Sequence, residues 1–208
     1  MSVLQALAAF SLAAGLLTIT PGLDTALVLR TAAAEGPRRA ALAALGIVCG
    51  CLVWGAAAAF GVGALLAASQ AAFAVLKWAG AAYLAWLGVN LIMKPRSSFE
   101  AAGAHVRPTR ASAWFRRGLL TNLLNPKVGV FYVSFLPQFM PGGVEPTSFM
   151  LLLAVIHGLM GVAWFAVLIA ATRPIALALR RPAVVGWLDR LTGGVFLAFA
   201  ARLAFDRR

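Results

Sequence analysis

The sequence predicts an all-α integral membrane protein: six transmembrane helices arranged as two inverted three-helix repeats with broken first helices. Three observations lead there. Of 208 residues, 62% are apolar and only 12% are charged, whereas a soluble domain carries about 25% charged residues. Six apolar segments are each long enough for a hydrocarbon core of about 30 Å. Loops rich in Arg and Lys alternate with loops that have none. The mean hydropathy of +0.89 agrees. A soluble enzyme, a disordered chain and a disulfide scaffold are excluded.

The expected spans run over residues 3–29, 40–68, 71–93, 114–139, 147–172 and 183–205. Long unalternating apolar runs read as helices rather than barrel strands. No Lys or Arg precedes Arg30, so the first segment reads as a span and not as a cleaved leader. Spans two and three meet at Ser69–Gln70 as an antiparallel hairpin. Cys49 and Cys51 stand next but one within an apolar run, where a mutual bridge is awkward. They read as small packing residues.

Direction follows from the basic residues. Arg30, Arg38 and Arg39 separate spans one and two. Lys94, Arg96, Arg107, Arg110, Arg116 and Arg117 lie between or beside spans three and four, and Arg173, Arg180 and Arg181 between spans five and six. Ser69–Gln70 and Pro141–Pro146 contain no basic residue. The positive-inside bias therefore places the basic loops in the cytoplasm and both termini outside, with Arg207 and Arg208 as its one cost. The net charge of +12 is accounted for by facing an anionic bilayer, and no nucleic-acid partner is expected. The chain divides into a first three-helix repeat (1–94), a basic cytoplasmic loop (95–112) and a second repeat (113–208).

Three spans per half make the second half enter the membrane from the opposite side. Such inverted repeats place sites at the midplane where the halves meet. A short similarity between Lys77–Ala85 and Arg190–Ala198 is compatible with a repeat. A stronger signal is a helix breaker in the first span of each half. Span one carries Thr18-Ile19-Thr20-Pro21-Gly22-Leu23-Asp24, and span four carries Thr121-Asn122-Leu123-Leu124-Asn125-Pro126-Lys127. Proline removes a backbone donor and clashes with the preceding turn. Thr20, Asn122 and Asn125 can serve backbone groups freed by the breaks. A simple proline kink is the competing reading. Each break, however, also carries a charge, Asp24 or Lys127, and a charge at membrane depth is costly unless it is paired or functional.

The runs Thr20–Thr25, Leu45–Gly50 and Ala79–Leu84 with Gly88 resemble the first half of the LysE/RhtB amino-acid exporter family. Phe115–Lys127 followed by Phe135–Phe139 is similar to its second half. Leu23 departs from the pattern, which often has proline there. The resemblance covers nearly the whole chain. It implies a bacterial inner-membrane exporter of amino acids or close analogues, driven by the proton gradient.

A broken helix offers partly positive amides at the start of its second half and partly negative carbonyls at the end of its first. An amino acid presents the complementary carboxylate and ammonium. The expected substrate site is therefore Thr20, Pro21, Gly22, Asp24, Asn122, Asn125, Pro126 and Lys127, with Lys127 near the carboxylate. Antiport needs a group that takes up and releases a proton. Asp24 is the first candidate, because Glu35, Glu100, Glu145, Asp189 and Asp206 fall in loops or at span ends. His157, mid-span in the fifth helix, is the second, since imidazole titrates near neutrality. Asn90 and Gln138 are expected to tie helices together. Gly46 with Gly50, and Ala57 with Gly61, are expected to allow close packing within the chain or across a homodimer.

No catalytic set, cofactor motif or metal-ligand cluster is visible, so an enzyme is not expected. A cation or metal exporter of a related superfamily would want several converging ligands beyond Asp24 and His157. A non-transporting membrane scaffold would have no reason to bury charges at paired breaks.

Overall fold

The computed structural model describes residues 2–68, 70–95, 110–179 and 181–205. Residues 96–109, most of the expected cytoplasmic loop, and the terminal Asp206–Arg208 lie outside that set. Among the described residues there are helices and turns and no strand. The helices are α1 (Val3–Ile19), α2 (Leu23–Glu35), α3 (Pro37–Ala68), α4 (Gln70–Met93), α5 (Ala111–Leu123), α6 (Pro126–Phe135), α7 (Pro146–Ala170), α8 (Thr172–Leu179) and α9 (Pro182–Phe205). A 3-10 turn at Leu136–Phe139 continues α6.

Helices occupy each segment expected to span, with two in place of one at the first and fourth. Two described helices are by themselves long and apolar enough to cross a membrane, Pro37–Gly61 within α3 and Pro146–Ala170. The pair α1 and α2, bent by 51°, makes a third as a broken span.

Local signals set the ends. Ser2 and Gln5 close a reciprocal capping box on α1: Ser2 Oγ accepts from the Gln5 amide at 3.3 Å, and Gln5 Oε1 from the Ser2 amide at 2.9 Å. Gly36, at φ 90°, supplies the left-handed residue that ends α2, and Pro37 opens α3. Glu145 caps α7 ahead of Pro146, its carboxylate accepting from the amides of Thr147 (2.9 Å) and Ser148 (2.6 Å). Hydrogen bonds from Ser148, side chain and backbone, and from Thr147 hold the Glu145 carboxyl down from the usual 4.5 to about 2. A folded-state value below the unfolded one gives stability that is complete above about pH 4.5 and lost as pH falls through about 2. Melting curves in detergent should therefore place wild type above Glu145→Gln at neutral pH, with the difference vanishing towards pH 2.

The helices pack through glycine. A Cβ on Gly46 would lie 2.0 Å from Phe115 O and 2.8 Å from the Leu119 amide, and one on Gly118 would lie 2.0 Å from Ala43 O. The backbones of α3 and α5 are thus in direct contact. Further along α3, a Cβ on Gly55 would lie 2.2 Å from the Ala154 Cβ of α7. On the other side of the bundle α4 runs along α9, where a Cβ on Gly88 would lie 2.8 Å from Gly193 O. The expected small-residue pair Gly46 and Gly50 is thus used within the chain, whereas Ala57 and Gly61 lie exposed on α3. Gly46→Ala must push α5 away and should cost about 1–3 kcal/mol of stability, the usual range for overpacking. Gly61→Ala, with nothing among the described residues within 4 Å of the added methyl, should not. Thermal unfolding in detergent followed by tryptophan fluorescence separates the two.

An aromatic core holds α1, α6 and α7 together. Phe10 meets Phe139 edge-on at 5.4 Å between centroids, and Phe131 meets Phe135 at 5.0 Å, all four fully buried or nearly so. A second apolar cluster joins Val28, Leu29, Ala44, Ile47, Phe165 and Val185. It covers the start of α9 and corrects one sequence expectation. Asp189, assigned to a span end, is fully buried in α9. Sequence registers distance from a loop but not the neighbouring helices that cover the first turns of a span.

Asn90 and Gln138 correct another. Each donates to a carbonyl one turn back on its own helix, Trp86 O at 2.8 Å and Ser134 O at 2.6 Å. Among the described residues neither amide bonds to another helix. Trp78, Trp86 and Trp187 face outward, whereas Trp114 is buried.

Candidate functional site

The breaks between α1 and α2 and between α5 and α6 differ in how their helix starts are served. At the first, Pro21 ends α1 and Thr20 turns to an extended conformation, its amide still donating to Leu16 O at 3.1 Å. Gly22 precedes α2 and brings no capping side chain. The first helical bond of α2 runs from the Ala26 amide to Gly22 O (2.9 Å). The amides of Leu23, Asp24 and Thr25 therefore have no acceptor within the helix. At the second break, Asn125 caps α6 with its own side chain, Oδ1 accepting from the Lys127 amide at 3.1 Å. One helix start is capped by a side chain and the other is not.

Lys127 turns towards the uncapped start. Its Nζ lies 3.9 Å from where a Cβ on Gly22 would stand. Asp24 sits in the first turn of the same helix. Its Oδ2 accepts from Asn122 Nδ2 at 2.9 Å, while Oδ1 is buried without a hydrogen-bond partner among the described residues. Asn122, fully buried, also donates to Cys51 Sγ at 3.4 Å, so it joins α5 to both α2 and α3. Gly50 makes room for it: a Cβ there would lie 2.6 Å from Asn122 Oδ1.

These groups surround a cavity of about 60 Å³, space for several waters on the scale of 10–15 Å³ each. Thr18, Thr20, Gly22, Asp24 and Thr25 line it from the first break, and Asn125 and Lys127 from the second. Ile47, Val48 and Cys51 line it from α3, and His157, Gly158, Gly161 and Phe165 from α7. The structure thus brings Thr20, Gly22, Asp24, Asn125, Lys127 and His157 onto one cavity. Asn122 stands behind its wall, and Pro21 is buried beside it without lining it. The side chain of Pro126 lies outside what is described.

Tyr132 and Thr192 are neighbours that sequence does not single out for a site. His157 Nδ1 shares a hydrogen bond of 2.8 Å with Tyr132 Oη, both residues buried. Thr20 Oγ1 bonds Thr192 Oγ1, which ties the first break to α9. A second, apolar cavity of about 490 Å³ lies on the far side of Asn125, between Trp54, Tyr83, Leu124 and Val133. Tyr132 stands in the apolar stretch after Lys127, where hydrophobicity hides a hydroxyl; its spacing from Lys127 is the only signal. Gly158 and Gly161 adjoin an intramembrane histidine, which is a usable hint.

Comparison with known proteins decides the family. The profile described as LysE type translocator matches residues 16–207. The chain belongs to that family. The family is one of translocators and not of enzymes, and with these apolar helices the chain is a multi-pass membrane protein. Relatives include a homoserine/homoserine lactone efflux protein of Salmonella typhi, 31% identical over 207 residues (96% of each chain). A leucine efflux protein of Enterobacter is 32% identical over 193 residues (90% of each chain). A threonine efflux protein of Salmonella typhi is 27% identical over 191 residues (91% of this chain and 92% of the other). No solved structure matches the chain.

Proposed function

We propose that this translocator exports amino acids or close analogues from the cytoplasm by proton antiport, binding them in the cavity between the two helix breaks. One observation carries the reading. The cavity sets an uncapped helix start and Lys127 beside the carboxylate of Asp24 and the carbonyl end of α1. That pattern matches the carboxylate and ammonium of a zwitterion. Efflux relatives named for threonine, leucine and homoserine support the substrate class. Asp24 is the first candidate to carry the coupled proton and His157 the second.

The six-span inverted repeat belongs to this proposal. It is supported by the matching breaks in the first span of each half and by the pairing of α3 with α7 and of α4 with α9 across the halves. So do the bacterial inner membrane, external termini and the domain division 1–94, 95–112 and 113–208. A homodimer would use the apolar face of α4, where Val75, Trp78, Trp86, Val89 and Met93 are exposed. Orientation is tested with a cysteine at Gly103 in a Cys49→Ser/Cys51→Ser background. An impermeant maleimide should not label it in intact cells; labelling from outside reverses the topology.

A metal exporter is disfavoured by the site itself. Asp24, Cys51 and His157 line the cavity, but no group of three or more His, Cys, Asp or Glu residues fit to hold an ion occurs among the described residues. Lys127 in the same cavity would repel a cation. The exporter reading is tested by reconstituting the protein in vesicles loaded with labelled amino acids. An imposed pH gradient should drive their movement across a panel of substrates. Movement of none of them, with or without the gradient, contradicts it.

A further inference from the structure

Gly158 and Gly161 have no structural need to be glycine. Among the described residues only Gly36 and Gly143 adopt positive φ. A Cβ on Gly158 would meet Val48 Cγ1 at 3.5 Å and Leu52 at 3.6 Å, and one on Gly161 would meet Val48 Cγ2 at 3.6 Å and Phe165 at 3.9 Å. These are ordinary contacts, unlike the overlaps of 2.0 Å at Gly46 and Gly118. Both glycines instead line the same cavity as Asp24, whose Oδ1 is buried without a hydrogen-bond partner among the described residues. Their wall, with Ile47, Val48 and Phe165, is apolar and continuous with the cluster of Val28, Leu29 and Leu168. What the missing methyl groups leave is space, in the cavity that Asp24 and Lys127 also line.

We infer that Gly158 and Gly161, facing Val48 and Phe165, form the compartment for the substrate's side chain and set the largest uncharged side chain the protein carries. The inference rests on the exporter reading. Asp24 and Lys127 are matched to the ammonium and carboxylate common to every amino acid, so a charged side chain would meet a mostly apolar wall whose neighbour His157 is already hydrogen-bonded to Tyr132. The compartment therefore takes short aliphatic or hydroxyl-bearing side chains and rejects lysine and glutamate. Filling it by one methyl group lowers the limit by about one carbon.

The test is exchange of labelled glycine, alanine, threonine, valine, leucine, lysine and glutamate by purified protein in vesicles. In Gly161→Ala the largest side chain that wild type accepts should lose about 10- to 200-fold, the range for one methylene in an apolar pocket. Glycine and alanine should lose far less. Val48→Ala should move the limit upward and restore the larger substrate in the Gly161→Ala background, which shows the single variant to be folded. Gly61→Ala, on the outer face of α3, should leave the ranking unchanged. An equal proportional loss across the panel in Gly161→Ala, or lysine exchanged as fast as the aliphatic substrates, overturns the compartment and leaves the exporter reading standing. No exchange of any amino acid by wild type overturns both.

Discussion

Lys127→Met should severely weaken net amino-acid export while leaving the protein folded in the membrane. The substitution keeps most of the side chain's length and removes the cation that lies over the start of α2. If a substrate carboxylate pairs with Nζ in a desolvated cavity, losing one partner costs about 2–5 kcal/mol, because the other charge is left unpaired. That corresponds to at least about a thirtyfold loss of transport at low substrate concentration. Lys127→Arg keeps the charge but not the compact ammonium, and should recover part of the activity. Equal membrane content and an unchanged melting temperature separate loss of binding from loss of folding. Export by Lys127→Met at the wild-type rate removes Lys127 from the site.

Asp24→Asn should uncouple the transporter without emptying it. Asparagine keeps the shape and still accepts from Asn122 Nδ2, the bond that holds Asp24 in place at 2.9 Å. It cannot take up or release a proton. Exchange of labelled for unlabelled amino acid across vesicles without a gradient should therefore persist. Accumulation against a concentration gradient in response to a pH gradient should disappear. If Asp24→Asn still accumulates substrate, the coupled proton is carried elsewhere. His157→Gln, tested the same way, then shows whether the Tyr132–His157 pair carries it.

Much of this arrangement is legible in the sequence because membranes make irregularity conspicuous. A proline with a charge close by, twice, in segments otherwise apolar, marks both breaks before any coordinates are known. Thr20, Gly22, Asp24, Asn125 and Lys127 follow from that. What sequence does not show is which face of a uniformly apolar helix turns inward. Apolar residues surround α3 and α7, so nothing in their periodicity separates Gly61, on the outer face, from Gly46, in backbone contact with α5. Tyr132 escapes notice for the same reason: the helix carries it inward to His157, and the pairing spans 25 residues. The difference between the two helix starts is likewise a matter of conformation. Asn125 turns its side chain back onto the Lys127 amide, whereas Gly22 has none to turn.

The central claim is that a substrate carboxylate rests between the two breaks against Lys127, and the chain permits a direct measurement of it. It contains only three lysines, Lys77, Lys94 and Lys127. In a Lys77→Arg/Lys94→Arg variant, uniform labelling of lysine with 15N marks Lys127 alone. Solid-state NMR of this variant in lipid, with an exchanged amino acid carrying 13C in its carboxyl group, reports the distance from that carbon to Nζ. The account predicts dephasing that corresponds to about 4 Å, as for a charge-assisted hydrogen bond, abolished by excess unlabelled substrate. Bound substrate whose carboxyl carbon shows no dephasing from Lys127 contradicts it.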